Sequence, residues 1–389
     1  MGKRIRLLAV IRHPVGGIRT YLKYTYGSLD RNRYHFTIVT VADTENRPLE
    51  DDLSGFKVQV LREQGSWRLA AMVWDVFLLC WHRKVDIIHS HGLTAAILAV
   101  IGNWPVGLPH IVTPHGALRR EEFTGRIGRL TRWLLGWLLS QADVIHCVSE
   151  DLRLNLVEFL PALARQETKC VVIRNGVRIS SMRENGFDYR SALRQELNIG
   201  DDTVIFGFLG RFMPEKGFAH LIEAIEELSY ERAAQLNIRV LAVNDGAFVR
   251  EYKAMIHKRE LSQYFVFYGF TDNVERILRG LDAVVMPSLS EACPLVPMEA
   301  FVLGCPVVAA PCIGLREIVK DTPAVVLKKV GDSKGLASAL SGVIRNRDIL
   351  KAEAAAFALK ARERFDVRKS ADQLDALLLT VAQAKQRSV

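Results

Sequence analysis

Short runs of apolar, mostly β-branched residues alternate along the chain with longer stretches in which apolar positions recur every three or four residues. Ile5–Ile11, His35–Val41, Lys57–Leu61, Ile87–His89, His110–Thr113, Val144–Val148 and Cys170–Ile173 read as strands. Unbroken apolar runs of this length are what a parallel strand covered on both faces requires. Between them Ile18–Ser28, Trp67–Trp81 and Arg126–Leu139 read as amphipathic helices. A second series begins near Thr203, with strands at Thr203–Leu209, Ile238–Val243, Phe265–Tyr268, Ala283–Pro287, Pro306–Ala309 and Ala324–Leu327. Its helices are Phe218–Leu228, Val249–Arg259, Val274–Leu278 and Val296–Leu303. Such alternation implies right-handed βαβ units, and so two doubly wound α/β sheets of Rossmann-like kind. The polar stretch Ile179–Gly200, with Asn185-Gly186, places the connection between them. The expected domains are 1–190 and 191–365. The tail 366–389 closes a helical, Ala-rich segment beginning near 333, long enough to cross back onto the first domain. Ligands bind beyond the carboxyl ends of the strands in such sheets, so two sets of strand ends are expected to face one another across a cleft.

Length agrees: 389 residues exceed what one hydrophobic core serves. A chain 49% apolar and 24% charged is globular and soluble rather than disordered. Charge adds something the pattern does not show. Residues 1–195 carry 27 Lys and Arg against 18 Asp and Glu, whereas the remainder carries 25 of each, so the whole excess of +9 lies in the first half. That half is expected to meet an anionic surface or substrate, with a merely solubilising basic face as the alternative. No nucleic-acid motif or aromatic–basic platform supports nucleic acid as the partner. The six cysteines (Cys80, Cys147, Cys170, Cys293, Cys305, Cys312) form no CxxC pair, and several sit in apolar runs. They read as reduced, in a cytoplasmic protein without disulfides or zinc. Met1-Gly2-Lys3-Arg4 leads into an apolar run, Leu7 to Ile11, that Arg12 ends, too short for a signal peptide. No stretch reaches the ~18 apolar residues of a membrane-spanning helix.

Four segments carry candidate chemistry. After the first strand, Gly16-Gly17 lets backbone N–H groups approach an anion at a helix start, or forms an ordinary tight turn. It lacks the third glycine and following acidic residue of the dinucleotide fingerprint. After the first strand of the second series, Gly210-Arg211-Phe212-Met213-Pro214-Glu215-Lys216-Gly217 sets two cations five residues apart at a strand end. An arginine fork and a lysine point charge there suit a diphosphate. Beyond Pro287-Ser288, Glu291 and Glu299 stand eight positions apart around a helix start that Pro294 and Pro297 place near Val296. One carboxylate could reach sugar hydroxyls and the other a ribose; Glu299 alone would also gain about 0.3–1 kcal/mol from the helix dipole. Finally, His89-Ser90-His91-Gly92 and Pro114-His115-Gly116 each follow a strand, where histidine can bind a sugar or move protons near neutral pH. His89 and His91 also suit structural roles or, less well without an accompanying carboxylate, a metal; His115 is the better functional candidate.

With Val148-Ser149-Glu150, Arg174-Asn175-Gly176-Val177 and Gly304-Cys305-Pro306-Val307-Val308, these segments form an ordered set over almost the whole chain. The set resembles the family-4 retaining glycosyltransferases of GT-B fold. The resemblance implies transfer of a sugar, of hexosyltransferase type, from a nucleotide diphosphate donor with retention of anomeric configuration. It implies that Arg211 and Lys216 bind the diphosphate, Glu299 the ribose, and Glu291 and His115 the transferred sugar. Cys293, Pro294 and Leu295 would complete the donor site, and Gly16-Gly17 would lie against phosphate or acceptor. Where the family often has glycine and phenylalanine after the first glutamate, this chain has Ala292-Cys293-Pro294, and Pro294 removes one N–H. The chain lacks a DxD element, so no metal or other cofactor is expected. Arg119, Arg120, Arg126, Arg129 and Arg132 surround the apolar stretch Trp133–Leu139. That suggests a peripheral position on the inner face of a membrane and a lipid-linked or saccharide acceptor in bacterial surface polysaccharide synthesis, with a core-facing helix as the alternative. The rival activities are a nucleotide-sugar epimerase and a non-catalytic sugar-nucleotide-binding protein.

Overall fold

Residues 4–41, 49–53, 56–178, 186–232 and 236–386 are described in a computed structural model. Among them, seven parallel strands form one sheet and six form another. The chain divides into two units, Met1–Gly176 with Val367–Val389, and Val177–Asp366.

The sheet of the first unit contains β1 (Ile5–Ile11), β2 (Tyr34–Val41), β3 (Lys57–Glu63), β4 (Ile87–His91), β5 (His110–Thr113), β6 (Val144–Cys147) and β7 (Cys170–Val172), in the order β3-β2-β1-β4-β5-β6-β7. Alternate residues of β1 serve opposite faces. Leu7, Ala9 and Ile11 join Tyr26, Phe36 and the helix Val367–Gln386 through Leu374 and Leu378. Leu8 and Val10 join Met72 and Val76 of the helix Arg68–Trp81 and Leu98 of the helix Leu93–Asn103. Burial on both faces is why Leu7–Ile11 has no polar position, and each large side chain there contributes about 1.5–3 kcal/mol. β4 runs two residues beyond the expected end at His89, through Ser90 and His91. All three are buried, and the strand accommodates them because each has a side-chain partner.

The second sheet contains β8 (Val204–Leu209), β9 (Ile238–Val243), β10 (Phe265–Gly269), β11 (Ala283–Met286), β12 (Val307–Ala309) and β13 (Val325–Val326), in the order β10-β9-β8-β11-β12-β13. Of the expected connection Ile179–Gly200, residues 179–185 lie outside the described residues, and so do 1–3 of the N-terminal segment. Much of the rest is a helix, Tyr189–Leu197, capped by Asp188. Its polar appearance misleads because Arg194, a polar residue, is turned fully inward. It meets Asp282, just before β11, whose carboxylate takes hydrogen bonds from Arg190 (2.5 Å), Arg194 (2.9 Å), Lys351 (2.6 Å) and the Ile205 N–H (2.8 Å). Burial alone would raise the Asp282 carboxyl, but these partners more than offset it and hold it below the ordinary range. The N-terminal end of β11 is thereby fixed, and its C-terminal end carries the candidate site.

Candidate active site

β8 ends at Leu209, just before Gly210, and a short 3-10 turn, Pro214–Lys216, leads through Gly217 into the helix Phe218–Arg232. Gly217 is left-handed, with φ 72°, and a Cβ there would stand 2.0 Å from the Pro287 carbonyl oxygen. Only glycine lets this turn lie so close to the loop that leaves β11. The two loops are joined by Leu289 N–H donating to the Glu215 carbonyl at 2.8 Å. On the other side Gly314 has φ 74°, and a Cβ there would stand 2.3 Å from the Ala292 carbonyl oxygen. There the Glu291 N–H donates to the Ile313 carbonyl. The segment Pro287–Ala292 is thus held from both sides by backbone contacts that any larger residue would push apart.

This clamp brings two of the expected side chains together. Lys216 Nζ donates to Glu291 Oε2 at 2.7 Å, and Ser288 Oγ donates to Glu291 Oε1 at 2.8 Å. Glu291 is 7% exposed and Lys216 29%, so the ammonium keeps an open side. A lysine has three donors and one is used here, leaving two for an anion. Arg211 is exposed and makes no ion pair among the described residues. Glu299 is buried in the first turn of the short helix Val296–Val302, with Pro297 ahead of it as expected. Cys293 and Leu295 are buried and Pro294 is half-buried. Ser288 holds the Glu291 carboxylate, and the one sign of this in the sequence is its position three residues before that glutamate.

In the first unit, Gly16 caps the helix Gly17–Thr25 with φ 56°. Gly17 is exposed, and no atom lies within 4 Å of the place a Cβ would take. Open space at a helix start is where an anionic group can reach backbone N–H groups. His115 follows β5, half-buried, its ring 5.1 Å from that of Tyr21. Burial, together with His146, pushes His115 down to about 3, so it is neutral near pH 7. Its Nε2 is hydrogen bonded to His91 Nδ1 at 3.1 Å. Both ring nitrogens of His89 and of His91 are engaged, by Tyr26, Thr113 and His115. These two histidines are therefore packed inside the sheet, in the structural role that their sequence also suits, and are not presented beyond its strand ends. Tyr26, Thr113 and His146 carried no sequence signal, because three separate elements bring them together.

Residues 16–176 match the family described as Glycosyl transferase 4-like domain, and residues 190–364 match Glycosyl transferases group 1. The 2-deoxystreptamine glucosyltransferase of Streptomyces kanamyceticus is 30% identical over 67% of this chain and 68% of its own. The UDP-Gal:alpha-D-GlcNAc-diphosphoundecaprenol alpha-1,3-galactosyltransferase of Escherichia coli is 24% identical over 68% of each. Among solved structures, Anabaena Alr3699/HepE in complex with UDP-glucose superposes with a TM-score of 0.83 at 23% identity, over 97% of this chain and 100% of that one. WaaG, a glycosyltransferase involved in lipopolysaccharide biosynthesis, gives 0.74 at 15% identity over 95% and 98%. Two Rossmann-like parallel sheets, the family matches to both halves and these relatives agree: the chain belongs to the family-4 glycosyltransferases of GT-B fold.

Proposed function

We propose that this glycosyltransferase takes a sugar from a nucleotide diphosphate, with UDP the favoured nucleotide, retains its anomeric configuration, needs no metal, and acts on a lipid-linked or saccharide acceptor of surface polysaccharide synthesis. The observation that carries the donor site is the Lys216–Glu291–Ser288 arrangement beside the exposed Arg211. Two cations with free donors suit a leaving diphosphate, and a carboxylate fixed by a hydroxyl and an ammonium suits the sugar beside it. Transfer breaks the bond from the sugar C1 to the diphosphate and forms one from C1 to the acceptor oxygen on the same face. The acceptor proton passes to a donor phosphate oxygen, so Arg211 and Lys216 need only offset the charge on the departing diphosphate. His115, neutral, and Glu299 are assigned to the sugar and the ribose, as the family resemblance implies. UDP-glucose bound to the Anabaena protein supports the choice of nucleotide.

The acceptor reading rests on the surface of the first unit. All six tryptophans of the chain, Trp67, Trp74, Trp81, Trp104, Trp133 and Trp137, lie there, 37–83% exposed. Tryptophans are usually mostly buried, and an apolar surface of this extent needs a partner. The helix Gly125–Ser140 turns Leu135, Leu138 and Leu139 inward but Ile127, Leu130, Trp133, Leu134 and Trp137 outward, with Arg126 and Arg129 among them. It is core-facing on one side only. Exposed tryptophan and leucine ringed by arginine fit an anionic lipid surface, and among the described residues no helix is long and apolar enough to cross a membrane. The Escherichia coli relative, whose acceptor is diphosphoundecaprenol-linked, supports an acceptor held at such a surface.

The test is transfer of labelled sugar from UDP-sugars to a panel of lipid-linked and free saccharides. Lys216→Ala and Glu299→Ala are expected to abolish it while leaving the thermal transition in place; full turnover in either would overturn the site. For the surface, the protein should sediment with vesicles containing phosphatidylglycerol and release them as salt rises. Equal behaviour with and without anionic lipid would remove that part of the reading.

A further inference from the structure

Seven residues of the first unit form one unbroken hydrogen-bonded chain. It starts at the Ile173 carbonyl, 3.0 Å from His146 Nε2. His146 Nδ1 lies 2.9 Å from Thr113 Oγ1, which lies 2.7 Å from His89 Nε2. His89 Nδ1 and His91 Nε2 each lie 2.8 Å from the Tyr26 hydroxyl, and His91 Nδ1 lies 3.1 Å from His115 Nε2. His89 and His91 reach the same hydroxyl because they are alternate residues of β4, and β5 and β6 bring Thr113 and His146 alongside.

A carbonyl oxygen can only accept, and this settles every later link. His146 must donate from Nε2, so its Nδ1 is bare and accepts from the Thr113 hydroxyl. Thr113 Oγ1 then accepts from His89 Nε2–H, which leaves His89 Nδ1 bare for the Tyr26 hydroxyl proton. Tyr26 in turn accepts from His91 Nε2–H, and bare His91 Nδ1 accepts from His115 Nε2–H. A doubly protonated histidine anywhere would break the sequence, since both its nitrogens would donate. Burial holds all four imidazoles well on the neutral side of pH 7. Tyr26 cannot turn away, being fully buried and stacked on Phe36 at 5.0 Å. Among the described residues His115 Nδ1 has no partner, while Tyr21 packs edge-on against the ring.

We propose that Tyr26, Thr113, His89, His91 and His146 are positioning residues that fix the tautomer of His115, so that it presents Nδ1 as a hydrogen-bond acceptor. The group it meets must then be a donor, a hydroxyl or an N–H of the sugar, which excludes a carbonyl oxygen, a carboxylate or fluorine at that position. The inference rests on the assignment of His115 to the transferred sugar. A chain of polarised links of this kind also strengthens its terminal donor–acceptor pair beyond what an isolated histidine would give.

The test is 15N–1H correlation of the histidine rings in the full-length protein labelled with [15N]histidine, with His115 assigned from His115→Gln. His115 is expected as the neutral Nε2–H form throughout pH 6–8. In Tyr26→Phe, which keeps the stacked ring but removes the relay, His91 is free to move its proton to Nδ1, and His115 should become a mixture with Nδ1–H. Thr113→Val removes the link between His146 and His89 and should do the same; it serves where Tyr26→Phe does not fold, and Thr113→Ser should restore the native pattern. An Nδ1–H or doubly protonated His115 in the native protein overturns the inference, as does an unchanged tautomer in both variants. With a transferred sugar in hand, the two variants should lose about 2- to 12-fold in kcat/KM, the value of one neutral hydrogen bond. Absence of any sugar transfer by the native protein would remove the proposed function and leave the ring spectra to decide the tautomer alone.

Discussion

Replacing Asp282 by asparagine should cost the second unit about 3 kcal/mol of stability without touching the donor site. The side chain is fully buried, and three cations converge on it: Arg190, Arg194 and Lys351. With the charge gone, Arg190 and Lys351, 30% and 29% exposed, can turn to water. Arg194, 2% exposed, cannot. A stranded buried charge typically costs 3–5 kcal/mol. The Thr203 and Gly280 carbonyls still accept from Arg194, at 2.9 and 3.3 Å, which places the expectation at the low end. For a unit of this size about 3 kcal/mol corresponds to roughly 6–12 °C. Denaturant and thermal unfolding of Asp282→Asn would measure it. Arg194→Met in the same background should recover much of the loss, because it removes the cation that was stranded. A loss below ~1 kcal/mol, or no recovery in the double variant, would refute the reasoning that one buried guanidinium dominates the cost.

Three further outcomes follow from the site. Glu291→Gln breaks the ion pair to Lys216 but keeps an oxygen for Ser288; UDP should bind as well or better, while kcat/KM for transfer falls about 10- to 150-fold, the value of a hydrogen bond to a charged group. Parallel loss of UDP binding in a titration would contradict the assignment of Glu291 to the sugar. Gly17→Ala meets no atom within 4 Å, so the melting temperature should hold while transfer falls if a ligand approaches that backbone; unimpaired transfer would remove Gly16-Gly17 from the site. The histidine chain sets a pH dependence of stability. His115 and His146 fall from 6.5 to about 3 and about 4 on folding, so below pH 6.5 the unfolded chain takes up their protons and the folded one resists. Their stabilisation is complete above pH 6.5 and is lost as pH falls toward 4, at up to about 1.4 kcal/mol per pH unit for each. Melting curves at pH 7 and pH 5 that coincide would be inconsistent with buried neutral imidazoles.

What the sequence made legible was whatever depends on local pattern. Strands buried on both faces announce themselves as unbroken apolar runs, so β1, β5, β8, β9 and β11 were placed within a residue or two. Glycines needed for close approach marked the loop at Gly217, and prolines marked the helix start before Glu299. Two kinds of feature stayed hidden. Polar residues inside the fold, such as Ser90, His91 and Arg194, look like loop residues until their partners are known, and those partners lie 9 to 88 positions away. The stretch Trp133–Leu139 with its arginines stands out in the sequence as a surface candidate, but which of its residues face outward does not, because the helix Gly125–Ser140 has leucine on both sides.

The most direct test of the central claim is thermal unfolding of the native protein and Lys216→Ala against UDP, GDP, ADP and their sugars. Ligand at ~100 times its dissociation constant adds roughly 2.7 kcal/mol to the state that binds it. The account predicts a shift of the native protein with uridine nucleotides, larger than with the others, that is lost in Lys216→Ala. No shift with any nucleotide, or the same shift in both proteins, would contradict a diphosphate site built on Arg211 and Lys216.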